Sequence, residues 1–231
     1  MRLTPVDVAR MIDLSCVRTT TSKRDIEVMV AAARQHGFGQ VSVLQSMVPF
    51  TRQMLGARNE IRLVGNVGFP SGSESTSIKR AQAKELVSAG CDEIDMVMNI
   101  GFLRSAEIEL VENDTRAVIE AVRPLPTKVI IESMLLRQDE VRAACEICIR
   151  AGADFVKTGS GWADRPTTVN DVRLIKACVG DRINIKASGG IRSLETLVEM
   201  YDAGARRFGV NLKSGIDIVR QASHAQSGVQ I

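Results

Sequence analysis

Lys157 and Lys186 are the two residues of this chain whose type and spacing best suit covalent chemistry. Each ends a short apolar run, Asp-Phe-Val-Lys157 and Ile-Asn-Ile-Lys186, and about one strand–helix unit separates them. Neighbouring parallel strands lie about 4.8 Å apart, which would bring the two ammonium groups within roughly 5–8 Å of each other. At an effective dielectric of about 20, positive charges ~7 Å apart repel by ~2.4 kcal/mol. That is roughly two pKa units of pressure on one lysine to lose its proton, and burial pushes the same way. A neutral lysine is an amine nucleophile suited to forming a Schiff base with a carbonyl compound. The plainer reading is an ionic core in which the lysines pair with Asp95 or Glu132.

Asp95, in Glu-Ile-Asp95-Met-Val-Met-Asn, supplies a group to move protons at the carbinolamine, enamine and hydroxyl stages of carbon–carbon chemistry on an iminium. Glu132, in Val-Ile-Ile-Glu132-Ser, has either a direct role or an orienting one. A second constellation is rich in glycine: Lys186-Ala-Ser-Gly189-Gly190-Ile-Arg192 and Gly209-Val-Asn211-Leu-Lys213-Ser214-Gly215, with Thr158-Gly159-Ser160-Gly161 offering further donors. Backbone N–H groups in such loops, beside a helix N-terminus, suit a phosphate. The candidate phosphate-binding residues are Gly161, Gly189, Gly190, Arg192, Gly209, Asn211, Lys213 and Ser214. None of these loops is a Walker loop or a dinucleotide fingerprint. Two His and scattered Cys make no zinc set, and no cofactor is expected.

Positioning these groups requires eight short runs: Met11–Val17, Gln40–Leu44, Ile61–Val67, Glu93–Met98, Lys128–Glu132, Asp154–Lys157, Arg182–Lys186 and Arg206–Val210. Helical patterns alternate with them at Lys23–Gln35, Ile78–Ala89, Ala106–Val122, Asp139–Ala151, Asn170–Cys178 and Leu194–Ala203. Alternation of this kind predicts parallel pairing and an α/β fold, a (β/α)8 TIM barrel, with a doubly wound open sheet as the alternative. A weak repeat agrees. Ser88-Ala-Gly90-Cys-Asp-Glu-Ile, Arg150-Ala-Gly152-Ala-Asp-Phe-Val and Asp202-Ala-Gly204-Ala-Arg-Arg-Phe each end a helix on glycine shortly before a strand. The reading is one domain over 1–231, with a polar tail from about Gln221. Strands buried on both faces should be apolar inside, so Asp95, Glu132, Lys157 and Lys186 are the exceptions. All four are expected at or near strand C-terminal ends, the face where barrel enzymes place their chemistry.

Composition closes other routes. The 231 residues carry 30 Lys+Arg and 27 Asp+Glu, a net charge of +3 with the basic residues dispersed, and 3% aromatics. That balance argues against nucleic acid. No run is long and apolar enough for a membrane span, and the N-terminus lacks a secretory h-region. Five cysteines without a dense framework fit a reducing compartment, hence the cytoplasm. Cys145-Glu-Ile-Cys148 lies in a helical pattern and reads as two small buried residues. Trp162 is either a lid or a loop anchor.

At these residues the sequence resembles the deoxyribose-phosphate aldolase family. The resemblance is carried by Ile12-Asp13-Leu14-Ser15, Gly68-Phe69-Pro70-Ser71-Gly72, Glu93-Ile-Asp95-Met-Val-Met-Asn-Ile-Gly101, Lys128-Val-Ile-Ile-Glu132-Ser, Ala153-Asp-Phe-Val-Lys157-Thr and Lys186-Ala-Ser-Gly-Gly-Ile-Arg192. It implies a class I aldolase on a (β/α)8 barrel that reversibly joins acetaldehyde and glyceraldehyde 3-phosphate without metal or organic cofactor. It further implies Lys157 as the Schiff-base lysine, Lys186 as the neighbour lowering its pKa, Asp95 as the proton-transfer acid, and a possible homodimer. The chain departs from the family in two loops. Thr158-Gly159-Ser160-Gly161-Trp162 stands where Thr-Ser-Thr-Gly is usual, and Asn211-Leu212-Lys213-Ser214 follows Gly209-Val210 where paired serines are usual. The same Schiff-base chemistry on another sugar phosphate or hydroxyaldehyde therefore stays open, as does a phosphate-binding barrel without a Schiff base.

Overall fold

A computed structural model describes residues 2–56, 60–225 and 229–230. Eight parallel strands close into a barrel in chain order: β1 (Ile12–Cys16), β2 (Gln40–Val43), β3 (Arg62–Val67), β4 (Glu93–Val97), β5 (Thr127–Ile130), β6 (Phe155–Lys157), β7 (Asn184–Ser188) and β8 (Arg207–Asn211). The open-sheet alternative is excluded, because β8 pairs back onto β1 with Asp13 opposite Gly209. The helices are α1 (Pro5–Arg10), α2 (Lys23–His36), α3 (Val48–Leu55), α4 (Thr76–Ser88), α5 (Ile100–Arg104), α6 (Ile108–Val122), α7 (Gln138–Ala151), α8 (Val169–Val179), α9 (Leu194–Asp202) and α10 (Leu212–His224). The six expected helices form within a residue or two of their predicted bounds, while α1, α3, α5 and α10 had no counterpart in the reading. The polar end expected from about Gln221 begins inside α10. Outside the barrel, Arg2–Leu3 pairs with Val229–Gln230.

Local chemistry explains where the helices start and stop. Ser22 and Asp25 form a capping box on α2, and Thr168 and Asp171 do the same on α8, each satisfying end N–H groups. The repeat glycines behave as expected. Gly90, Gly152 and Gly204 have φ of 88°, 82° and 116°, a conformation that would strain other residues.

The strands alternate with period two, and here the structure corrects one expectation. The outward side chains are apolar: Ile12, Leu14, Val41, Val43, Leu63, Ile94, Met96, Val129, Val156, Ile185 and Phe208 are all buried in the hydrophobic core, where the helices pack on the sheet. The lumen itself is polar. Lys186 of β7 reaches Asp13 of β1 and Asp95 of β4, strands that are not its neighbours, so these contacts cross the barrel interior. An apolar inside was expected of both faces. Instead the helix-facing side supplies the hydrophobic stabilisation, which leaves the lumen free for an ionic network.

Candidate active site

The network is centred on Asp95. Lys157 Nζ donates to Asp95 Oδ2 at 2.7 Å, and Lys186 Nζ donates to the same oxygen at 2.8 Å. Lys186 also pairs with Asp13 Oδ2 at 2.5 Å, and Arg207 pairs with Asp13 from below. On the other side Lys128 Nζ lies 3.3 Å from Asp95 Oδ1 and pairs with Glu93, which in turn meets Arg62 at 2.7 Å and Gln40. Lys128, Lys186, Asp13 and Asp95 are essentially sealed from solvent. Lys157, the most accessible of the three lysines, is 5% exposed.

Lys157, the last residue of β6, is in register with Lys186 at the centre of β7, and Asp95 is at the centre of β4. Glu132 lies beyond the end of β5. Of Lys157, Lys186 and Asp95, Lys157 has the greatest exposure.

Cations outnumber carboxylates in the network, with Arg207, Lys186, Lys157, Lys128 and Arg62 facing Asp13, Asp95 and Glu93. Lys157 is the group that moves: its pKa falls to about 8, chiefly through burial, with Lys186 pushing further down and Asp95 pulling up. Lys186 moves the other way, because Asp13 and Asp95 hold its charge against burial. The expected split between the two lysines is present, but desolvation outweighs lysine–lysine repulsion as its cause. Asp95 is held far below the ordinary carboxylate range by Lys157, Lys186 and Lys128, which overcome its burial.

Above Lys157 a recess of about 20 Å³ is lined by Asp13, Ser15, Asn66, Phe69, Lys157, Ser160, Lys186 and Ser188. That is space for about one water. Ser15, Ser160, Ser188 and Gly209 also line a neighbouring cavity of about 430 Å³, whose walls include Gly161, Gly189, Gly190, Gly209, Asn211 and Lys213 from the expected phosphate set. Gly189 and Gly190 have φ of 104° and 83°. Successive N–H groups in such a conformation form an anion-binding concavity. A side chain at position 190 would meet Pro166 Cβ at 2.3 Å. Arg192 and Ser214 do not line this cavity. Ser214 is buried in the first turn of α10, and its N–H is already capped by Asn211 Oδ1 at 2.9 Å.

A family profile described as "DeoC/LacD family aldolase" matches residues 8–222. This chain belongs to that family. Among curated proteins, the aldolase is 40% identical over 226 residues to "Deoxyribose-phosphate aldolase" of Rhizobium meliloti (strain 1021), covering 98% of this chain and 91% of the other. It is also 40% identical over 217 residues to the protein of that name from Carboxydothermus hydrogenoformans, covering 92% and 94%. Among solved structures, "QR15, an Aldolase" superposes with a TM-score of 0.88 at 37% identity over 93% of this chain and 95% of that one. A structure titled as the unique tetrameric deoxyribose phosphate aldolase from Aeropyrum pernix gives 0.85 at 26%, over 95% and 93%.

Two functional features of the aldolase were under-read in the sequence. Glu132 accepts from Ser160 N at 2.8 Å and Ser160 Oγ at 2.5 Å, which fastens the loop that follows Lys157. Glu132 adopts the left-handed conformation, φ 48° and ψ 53°, a strain of about 1–3 kcal/mol that those bonds offset. Asp13, Glu93 and Lys128 were not assigned a role, although each is a charge at an inward position of its strand run. Alternation with apolar neighbours was the available signal. Cys145 and Cys148 are buried in α7, their thiols pushed far up by burial, as packing residues would be.

Proposed function

We propose that this aldolase is a class I, Schiff-base deoxyribose-phosphate aldolase cleaving 2-deoxy-D-ribose 5-phosphate to glyceraldehyde 3-phosphate and acetaldehyde. The observation that carries the reading is the buried Lys157, pKa lowered to about 8, sharing one Asp95 oxygen with Lys186 beneath a cavity that suits an anion. The names of the curated relatives support the substrate.

In this reading neutral Lys157 attacks C1 of the open-chain sugar and loses water to give an iminium. The C3 hydroxyl gives its proton to a water in the recess, relayed to Asp95. The C2–C3 bond, between the carbon next to the iminium and the carbinol carbon, breaks. Its electron pair moves into the iminium and forms an enamine, and glyceraldehyde 3-phosphate is released. Protonation at C2 and hydrolysis then free acetaldehyde and restore the amine. Lys186 keeps its own proton, so it can hold Asp95 in place and discourage reprotonation of Lys157. Gly189, Gly190, Gly209, Asn211 and Lys213 line the space for the phosphate. The five free cysteines support a cytoplasmic location, and no helix among the described residues is long and apolar enough to cross a membrane.

The test is mass spectrometry after incubation with 2-deoxyribose 5-phosphate and borohydride. A reduced adduct on the Lys157 peptide is expected. Folded protein without an adduct overturns the assignment of this substrate, and a panel of other aldehydes and ketose phosphates then separates another aldol substrate from a barrel that makes no Schiff base.

A further inference from the structure

Arg18 is an arginine without a carboxylate. It follows β1 at the rim of the large cavity, is exposed, and forms no ion pair among the described residues. Its guanidinium is nevertheless positioned. Arg18 Nη2 donates to Gly161 O at 2.9 Å, and the group lies 5.3 Å from the centroid of the Trp162 ring. Trp162 is itself fixed. Its Nε1 donates to Val17 O at 3.2 Å, its backbone N–H donates to Ser160 Oγ at 3.0 Å, and its edge meets Phe69 at 6.1 Å and 87°. The indole thus ties the loop after β6 to the loops after β1 and β3, and Arg18 rides on it.

The loop beside Gly161 supplies donors without acceptors. Among the described residues, the N–H groups of Gly189, Gly190 and Ile191 have no hydrogen-bond partner. Lys213 lines the same cavity and forms no ion pair among those residues. Asp25 is the one carboxylate in the lining, and it is committed to the Ser22 cap of α2. A cavity with two unpaired cations and unpaired N–H groups is matched by a dianionic phosphate. A guanidinium has five donors, only one of which has a partner here, and its plane suits phosphate oxygens better than an ammonium does.

We propose that Arg18, mounted on Trp162, is the residue that makes this enzyme select a phosphorylated over an unphosphorylated substrate. Here the cation comes from the β1 loop, while Ser214 is withdrawn into α10. The proposal rests on the aldolase reading above, and the test separates the two. With Arg18→Gln, the preference for 2-deoxyribose 5-phosphate over 2-deoxyribose, as a ratio of kcat/KM, should fall ten- to a hundredfold. KM for the phosphate ester should carry the loss, with kcat within about threefold. Arg18→Lys, which keeps the charge and loses the planar stack, should fall between. An unchanged ratio, or an equal loss of kcat on both substrates, would mean that Arg18 only latches two loops, and the proposal would fail. Calorimetric titration with inorganic phosphate gives a readout without turnover: wild type should bind at least tenfold more tightly than Arg18→Gln. Equal binding, or none to either protein, overturns the proposal. If no borohydride adduct forms in wild type, the aldolase reading fails, and the phosphate titration alone judges Arg18.

Discussion

The two ends of the site are built differently. Around Lys157 the charges of Asp13, Asp95, Lys128 and Lys186 are buried, sit on strands, and each meets an opposite charge at close range. Around the cavity mouth the cations Arg18 and Lys213 are exposed, sit on loops or a first helical turn, and meet no carboxylate among the described residues. Chemistry needs a fixed charge balance, which rigid strands supply, whereas recognition needs donors left unpaired until a ligand arrives. Changes at the lysine end should therefore disturb rate and pH dependence, and changes at the mouth should disturb affinity.

The sharpest way to break that division is at its centre. Lys157→Ala should lower turnover by at least about 10⁴-fold and abolish borohydride trapping, with far-UV circular dichroism unchanged. Retained adduct elsewhere would move the nucleophile to another lysine. Lys186→Leu should lower the rate near neutral pH by about a hundredfold. It removes a cation that depresses Lys157 and leaves Asp95 Oδ2 to Lys157, so the amine's apparent pKa should rise above about 8 in the pH–rate profile. An unmoved profile would mean that burial alone sets the nucleophile.

At the mouth, Gly190→Ala places a methyl against Pro166 in a backbone conformation that disfavours it. It should raise KM for a phosphorylated substrate by about tenfold or more with a smaller change in kcat, as expected for a lost charged hydrogen bond of about 1.5–3 kcal/mol. Glu132→Gln lies between the two regions. It removes one acceptor from Ser160, so it should loosen the loop carrying Trp162, shift that tryptophan's fluorescence, and raise KM several-fold. If kcat fell instead, with KM constant, Glu132 would belong to the chemistry.

The smallest effect is on stability. Between pH about 8 and the ordinary lysine value of 10.5, native Lys157 has released its proton while the unfolded chain keeps it. The unfolded state then binds more protons, so stability rises with pH across that window, by at most about 3 kcal/mol. Lys186, shifted upward, loses its contribution only above it. Urea unfolding of wild type and Lys157→Met should differ in slope against pH over this range, and parallel slopes would count against a depressed lysine.

The contrast also explains what could be read in advance. Strand periodicity and the helix-ending glycines sufficed for the barrel, and charges inside apolar runs pointed to Lys157, Lys186 and Asp95. Asp13, Glu93 and Lys128 escaped because a charge at the start of a run looks solvated until closure of the barrel faces it inward. Arg18 escaped for another reason. Its partner is Trp162, far away in the chain, and only the meeting of two loops makes the pair. The last turn of α10 reads as the start of a polar tail because its buried apolar residue, Ala222, stands among polar neighbours.

The narrow recess beneath the wide cavity also dictates a sequence of events. In the proposed reaction the phosphate-bearing half of the sugar would lie toward the wide cavity, and the two-carbon remnant would stay on Lys157. The larger fragment must depart before water can reach the remnant. In the joining direction the small aldehyde must load first, because a sugar phosphate seated in the mouth would block its passage. The proposed reaction would then be ordered by depth.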